Sequence, residues 1–274
     1  MFKIIIMALL IFIGMVGYDN ITDKAQPTTP VQQEQQKVSK HEKSAAMALF
    51  TNLLPPKEEW PSPVHKFYLA FNMDEVIDPI RQNPNWTGLD AMSRDIPQAL
   101  IAIEDHAFYN HGAIAVEGIL RAALANINAG EVVQGGSTLT QQFVKNVFLS
   151  HEQSMERKIE EAVLSLMLED NYSKDEILEL YLNTTYFGAG STGIKQASRT
   201  YFGKAPSALT LAEAAVIASL PYAPTSLNPL ENPEGCKKRQ LLVLAAMHKY
   251  GMINQGQLAE AKAEKIRLTN GTVM

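Results

Sequence analysis

A mainly α-helical fold is the class this sequence predicts, and three observations predict it. Alanine and leucine dominate its periodic segments, and both are strong helix formers. Capping-box spacings stand at the head of several of those segments. Segments that alternate apolar and polar residues, the mark of a half-buried strand, are scarce.

The chain has 274 residues, of which 46% are hydrophobic and 19% charged, enough for one domain with a sizeable core and something extra. Its formal net charge of −5 argues against nucleic acid as a partner, because no basic excess exists to neutralise phosphates. Cys236 is the single cysteine, so an intrachain disulfide is excluded.

The N-terminus carries the first signal. Ile4 to Tyr18 is free of charge, with Lys3 before it and Asp19 and Asp23 after it. As a helix this run is about 22 Å long, short for a bilayer and close to a signal-peptide core. No small-x-small cleavage site follows, which favours an uncleaved signal anchor over residues 1–18. Lys3 favours a cytoplasmic N-terminus, so the rest would lie outside the inner membrane. Residues 19–60 then change to Gln, Lys, Pro, Thr and Ser and read as a tether, with a short helix over Ala45 to Leu54 stopped by Pro55. The folded domain is expected over residues 61–268.

Inside that domain, ALIAIED ends in Glu104 and Asp105. An acidic pair after buried sequence can sit in a cleft with a raised carboxyl pKa, as a general base requires, or can be a solvated helix end. The stretch GGSTLTQQFVKNVF follows. Thr138 and Gln141 have capping-box spacing, and Thr138, Gln141, Gln142 and Lys145 share one helical face. Glycines before a helix N-terminus, with Lys145 two turns along, suit a phosphate or pyrophosphate. A merely solvated face fits the same spacing. In ERKIEEAVLSLMLED, Ile159, Ala162, Val163, Leu166 and Met167 are expected to form the core stripe. Glu161 then lies on a partly apolar face and Glu160 near the stripe edge, and periodicity does not choose between them. Ser173 to Glu176 and Thr210 to Glu213 are further capping boxes, opening DEILELYLN and LAEAAVIASL. Gly188, Gly190 and Gly193 mark the loop between two helical pieces. The six histidines show no zinc-ligand spacing, and no GxSxG elbow is present.

Taken in order, these segments resemble the peptidoglycan glycosyltransferase family, which includes the transglycosylase domain of bifunctional penicillin-binding proteins. The resemblance runs from about Asp95 to Ile253. IAIEDHAFYNH, GGSTLTQQFVKN and RKIEEAVLSLMLE look like the first three family motifs. KDEILELYLNTTYFGAGSTGIKQASRTYFGK and LTLAEAAVIASLPYAPTSLNP look like the fourth and fifth.

The resemblance implies a lysozyme-like bilobal domain behind the membrane anchor. It implies polymerisation of lipid II, with inversion and release of undecaprenyl pyrophosphate. The family's catalytic base falls on Glu104 and its second carboxylate on Glu161. Asp105, Phe108, Ser137, Thr138, Gln141, Gln142, Lys145, Asn146, Arg157 and Lys158 fall on its substrate-binding positions. A divalent cation, Mg or Mn, is implied as a helper, and no organic cofactor. Lipid II, the nascent glycan strand, the inner membrane and other cell-wall synthesis proteins are the implied partners. No Ser-x-x-Lys with a following Lys-Thr-Gly signature is present, so a monofunctional enzyme is expected.

Two positions depart from the family pattern. Gln153 stands where an arginine is usual, and Ala113 stands where a glycine is usual. If position 113 needs a positive φ, alanine would strain the loop. These departures keep a non-catalytic lipid II-binding scaffold in view. A lysozyme-like lytic enzyme is the other alternative, although it needs no pyrophosphate site.

Overall fold

The computed structural model describes residues 68–69, 72–130, 135–149 and 154–274. The chain divides into two units, Met1–Val76 and Ile77–Met274. The expected anchor, tether and Ala45–Leu54 helix lie outside the described residues, as does Gln153. No helix among the described residues is long and apolar enough to cross a membrane.

The described residues form ten α-helices and no strand beyond two isolated bridges, Tyr186 with Thr192 and Arg267 with Val273. In chain order the helices are α1 Asp74–Arg81, α2 Asp95–Glu104, α3 Val116–Ala129, α4 Leu139–Val147 and α5 Met155–Asn171. Then come α6 Lys174–Thr184, α7 Ile194–Phe202, α8 Leu211–Ser219, α9 Pro233–Lys249 and α10 Gln255–Ala263.

The helix starts follow local chemistry. Thr138, Ser173 and Thr210 each close a capping box, with Gln141, Glu176 and Glu213 returning the bond. A fourth box, Asn254 with Gln257, opens α10. Each satisfies two of the backbone donors that a helix N-terminus leaves unpaired. Between α6 and α7 the chain turns through glycines at positive φ. A Cβ on Gly188 would stand 2.3 Å from the Pro224 carbonyl oxygen, and one on Gly193 would stand 2.7 Å from that of Asn183. Only glycine fits either place.

The core has two groups of helices. α8 is buried from Ala212 to Ser219 and packs on α2 and α9, with α7 and α10 also against it. Its small side chains let neighbouring backbones approach closely, so helices surround it. The second group is α4, α5 and α6, with Leu139, Phe143, Leu168, Ile177 and Tyr181 inside. Burying a side chain of that size stabilises the fold by roughly 1.5–3 kcal/mol. Glu104 ends α2 of the first group, and α4 of the second group supplies its hydrogen-bond partner.

The α5 stripe expected from periodicity is corrected by the structure. α5 buries Glu161, Leu164, Ser165, Met167 and Leu168, while Ile159 is exposed. Ala162, Val163 and Leu166 are half-buried. The middle of the helix, AVLSLML, is apolar nearly all round, so its sequence offers two candidate stripes. Packing against α4 and α6 selects the one that carries Glu161.

Candidate active site

Glu104 is the last residue of α2 and Asp105 its C-cap. The Gln142 Nε2 amide donates to Glu104 Oε2 at 3.0 Å. Gln142 is itself oriented, because the Tyr181 hydroxyl donates to its Oε1 at 3.0 Å. A phenol proton can only face the amide oxygen, which leaves the amide NH2 for the carboxylate. Burial pushes the Tyr181 hydroxyl far above its ordinary pKa, so it stays a proton donor. The Glu104 carboxyl is also held above the usual range. Desolvation is the largest cause, opposed by the Gln142 bond and the charges of Arg239 and Lys145, and reinforced by Asp105.

Glu161 lies on the neighbouring helix α5 and is only 2% exposed. Lys158, one turn earlier, pairs with its Oε1. The same ammonium donates to the Ser137 hydroxyl at 3.3 Å. Lys158 therefore joins the second carboxylate to the turn that precedes α4. Two chains of contacts meet on one segment: Tyr181–Gln142–Glu104 through the middle of α4, and Ser137–Lys158–Glu161 at its start.

The remaining sequence-predicted residues divide by exposure. Lys145 and Asn146 are exposed on α4. Thr138 and Gln141 are buried and spend their side chains on the capping box, and Thr138 Oγ1 also donates to the Ala113 carbonyl at 2.8 Å. Asp105 accepts from Leu139 N at 3.0 Å through one oxygen and contacts His111 Nε2 at 2.6 Å through the other. Phe108 is fully buried, with the Lys174 ammonium 4.4 Å above its ring, so it offers no surface in this conformation. Arg157 lies in the first turn of α5, where Ser154 caps its N–H, and its Nε is buried without a hydrogen-bond partner among the described residues. Ala113 is buried and does not have a positive φ, so the strain that alanine would bring there does not arise.

Two functional neighbours escape sequence reading. Tyr181 sits inside an ordinary amphipathic helix, and nothing in LELYLN distinguishes it from core. Arg239 lies on α9, far along the chain from Glu104. Its guanidinium stacks 4.1 Å from the Tyr222 ring centroid, and its buried Nε has no hydrogen-bond partner among the described residues.

No group of three or more His, Cys, Asp or Glu among the described residues is placed to hold a metal ion. Cys236 is buried against Ser219, and burial raises its thiol pKa to about 11, which leaves it unreactive.

Comparison with known proteins identifies the family. The family model described as Transglycosylase matches residues 73–248, a span that holds both carboxylates and all of α4. A Cupriavidus necator protein provisionally named a transglycosylase is 41% identical over 194 residues, covering 71% of this chain and 84% of its own length. Penicillin-binding protein 1A of Neisseria flavescens is 44% identical over 185 residues, covering 68% of this chain. The chain spans only 23% of that protein's length. A crystal structure of penicillin-binding protein 1A from Haemophilus influenzae is 33% identical and covers 48% of this chain and 16% of its own. Its TM-score of 0.34 is too low to bear on the fold. With the matched span enclosing the whole carboxylate-and-polar-helix arrangement, this chain belongs to the transglycosylase family.

Proposed function

We propose that this transglycosylase-family protein is a peptidoglycan glycosyltransferase that polymerises lipid II. Glu104 takes the proton from the C4 hydroxyl of the acceptor sugar. The resulting oxygen attacks C1 of the donor, the C1–O bond to the lipid pyrophosphate breaks, and the configuration inverts. Lys145, on the exposed side of α4, neutralises the leaving pyrophosphate. Ser137, Asn146, Arg157 and Lys158 complete the polar region around it, and Glu161 holds Lys158 in place.

The observation that carries this reading is the Gln142 bridge. It ties the helix whose exposed side carries Lys145 and Asn146 to a desolvated carboxylate with a raised pKa. A lytic enzyme would need such a carboxylate, but not an exposed cation on the helix coupled to it. Asp105 and Phe108 support the site from behind rather than face substrate in this reading.

A divalent cation fits only as a companion of the substrate. Mg or Mn is commonly held by one or two carboxylates plus substrate phosphates, and Glu161 is the carboxylate beside the phosphate region.

The same proposal places a folded domain over residues 61–268 in a lysozyme-like bilobal form. It sits outside the inner membrane of a bacterium behind a single-pass anchor at 1–18 and a tether at 19–60. The exposed face of α3 supports a membrane neighbour. Val116 is 64% exposed, Leu120 60% and Ile127 75%, with Ile119 beside them, and this spacing keeps them on one side. Partners are lipid II, the growing glycan strand and other cell-wall synthesis proteins.

The test is polymerisation of labelled lipid II by the full-length protein, beside Glu104→Gln and Lys145→Ala. Long strands from the wild type and none from Glu104→Gln are expected. Tight lipid II binding by the wild type with no polymer would leave the scaffold reading instead.

A further inference from the structure

His111 is held in a way that fixes its charge. Its Nε2 lies 2.6 Å from Asp105 Oδ1 and its Nδ1 lies 2.6 Å from the Gly112 carbonyl oxygen. A carbonyl oxygen only accepts, and so does an ionised carboxylate. A neutral imidazole has one protonated nitrogen. Either tautomer would therefore press a ring lone pair against an oxygen lone pair at hydrogen-bond distance. Only the imidazolium satisfies both contacts. The ring is also enclosed, with its side chain 15% exposed and that of Asp105 9% exposed.

The pair reaches further than the loop it sits in. The second Asp105 oxygen accepts from the Leu139 N–H, one of the unpaired donors in the first turn of α4. Thr138 Oγ1, on the same turn, grips the Ala113 carbonyl two residues after His111. His111, Asp105 and Leu139 thus form a continuous chain from the loop after α2 to the helix that carries Gln142 and Lys145.

We propose that His111 is an imidazolium clamp: a positioning residue whose positive charge holds Asp105 against the first turn of α4 and so fixes Gln142 and Lys145 relative to Glu104. The protonation state stands on the hydrogen-bond geometry alone, whereas the effect on turnover rests on the glycosyltransferase reading.

The charged groups facing the ring balance in favour of the cation. Burial disfavours the charge. The bonds to Asp105 and Gly112 and the Asp105 charge outweigh burial and the repulsion of Lys174 from α6, leaving the His111 pKa above its ordinary value. His106, on the same loop, has its pKa lowered, by burial above all, with the Arg121 charge next and the His111 charge a minor part. For a raised histidine the stabilisation is full at acid pH and is lost as pH rises through the folded-state pKa.

The experiment is nitrogen NMR of the full-length protein with labelled histidine, titrated from pH 6 to 9, with Asp105→Asn beside the wild type. Two protonated ring nitrogens on His111 at neutral pH are expected, together with a lower titration point in Asp105→Asn. A single-NH tautomer at neutral pH in the wild type would overturn the clamp. Polymerisation is measured in parallel for His111→Gln. A loss of about tenfold to a hundredfold in kcat with little change in KM, and disappearance of the His111 limb at alkaline pH, are expected. An unchanged kcat and unchanged alkaline limb would overturn the positioning role. If the wild type makes no polymer at all, the function fails while the NMR result still decides the clamp.

Discussion

Glu104 and Glu161 are both carboxylates beside the same helix, and their surroundings differ in kind. Glu104 receives a neutral amide bond from Gln142 and keeps a raised pKa despite two cations nearby. Glu161 is more deeply buried and is paired with a lysine one turn away. The first is poised to take a proton near neutral pH, because its ionised form is under-stabilised. The second has a partner that stabilises its charge, so it suits an electrostatic and positioning part. Environment, not residue type, sets two carboxylates to different tasks.

The sharpest way to break this comparison is to neutralise each in turn. Glu104→Gln should lower polymerisation by about 10²–10⁴-fold, the usual worth of general base catalysis. It should also stabilise the fold at pH 7. A carboxyl whose pKa is raised on folding has its full stability below the unfolded-state pKa and loses it as pH climbs through the folded-state value. Glutamine removes that loss. Calorimetry at pH 5 and pH 7 should show the variant gaining on the wild type as pH rises. A Glu104→Gln protein that is less stable at pH 7 would mean that the carboxylate is not under-stabilised in the way described.

Lys158→Met sharpens the other half. It strands a buried carboxylate beside Ser137, and the expected cost is about 1–3 kcal/mol at pH 7. That figure is below the cost for a fully buried pair because Lys158 is 46% exposed. A buried carboxylate without its partner is costly only while ionised, so the deficit should shrink as pH falls. Chemical denaturation across pH 5 to 8 measures it. Adding Glu161→Gln to the lysine variant should recover part of the loss.

The sequence announces one side of this comparison far better than the other. The α4 start, its cap and its polar face were readable because they depend on residues three and four apart. The same holds for the boxes at Ser173 and Thr210. The buried face of α5 was not readable, because its middle, AVLSLML, is apolar on nearly every side and tertiary packing chooses among those residues. The Thr138–Gln141 capping box was legible, but not that both side chains are buried and so withdrawn from the polar face they share with Gln142 and Lys145. Arg239 and Tyr181 stayed hidden for a third reason. Each reaches Glu104's surroundings from a separate helix, and no local spacing encodes such a meeting. Family resemblance put Asp105 among substrate-binding positions, while its hydrogen bonds assign both oxygens to the scaffold.

Arg239 offers a finer probe of Glu104. Its charge lowers the Glu104 pKa more than that of Lys145 does. Arg239→Met should therefore move the acidic limb of the pH–rate profile to higher pH, and Lys145→Met should move it less. At the plateau the order should reverse, because Lys145 is proposed to meet the leaving group and Arg239 is not. Arg239→Lys should restore much of the limb, although it loses the planar stacking on Tyr222. Finding the two methionine variants alike in both limb and plateau would dissolve the distinction between them.

The smallest expected effect tests the support behind Glu104. Tyr181→Phe removes a single hydroxyl from a fully packed position and leaves the Gln142 amide oxygen without its donor. The stability cost should be about 1 kcal/mol, the net worth of one buried hydrogen bond. The larger consequence is orientational. Without the phenol proton, only the carboxylate itself still holds the amide NH2 toward it, so the turned amide should gain population. Each molecule in the turned state has two acceptors facing each other and a carboxylate with one bond fewer. Glu104 should then titrate higher and turn over more slowly by about threefold to tenfold, with KM nearly constant. Combining Tyr181→Phe with Gln142→Ala settles the route, since the tyrosine change should add little once the amide is gone. Full additivity of the two would show that Tyr181 reaches the reaction by packing α6 and not through the amide.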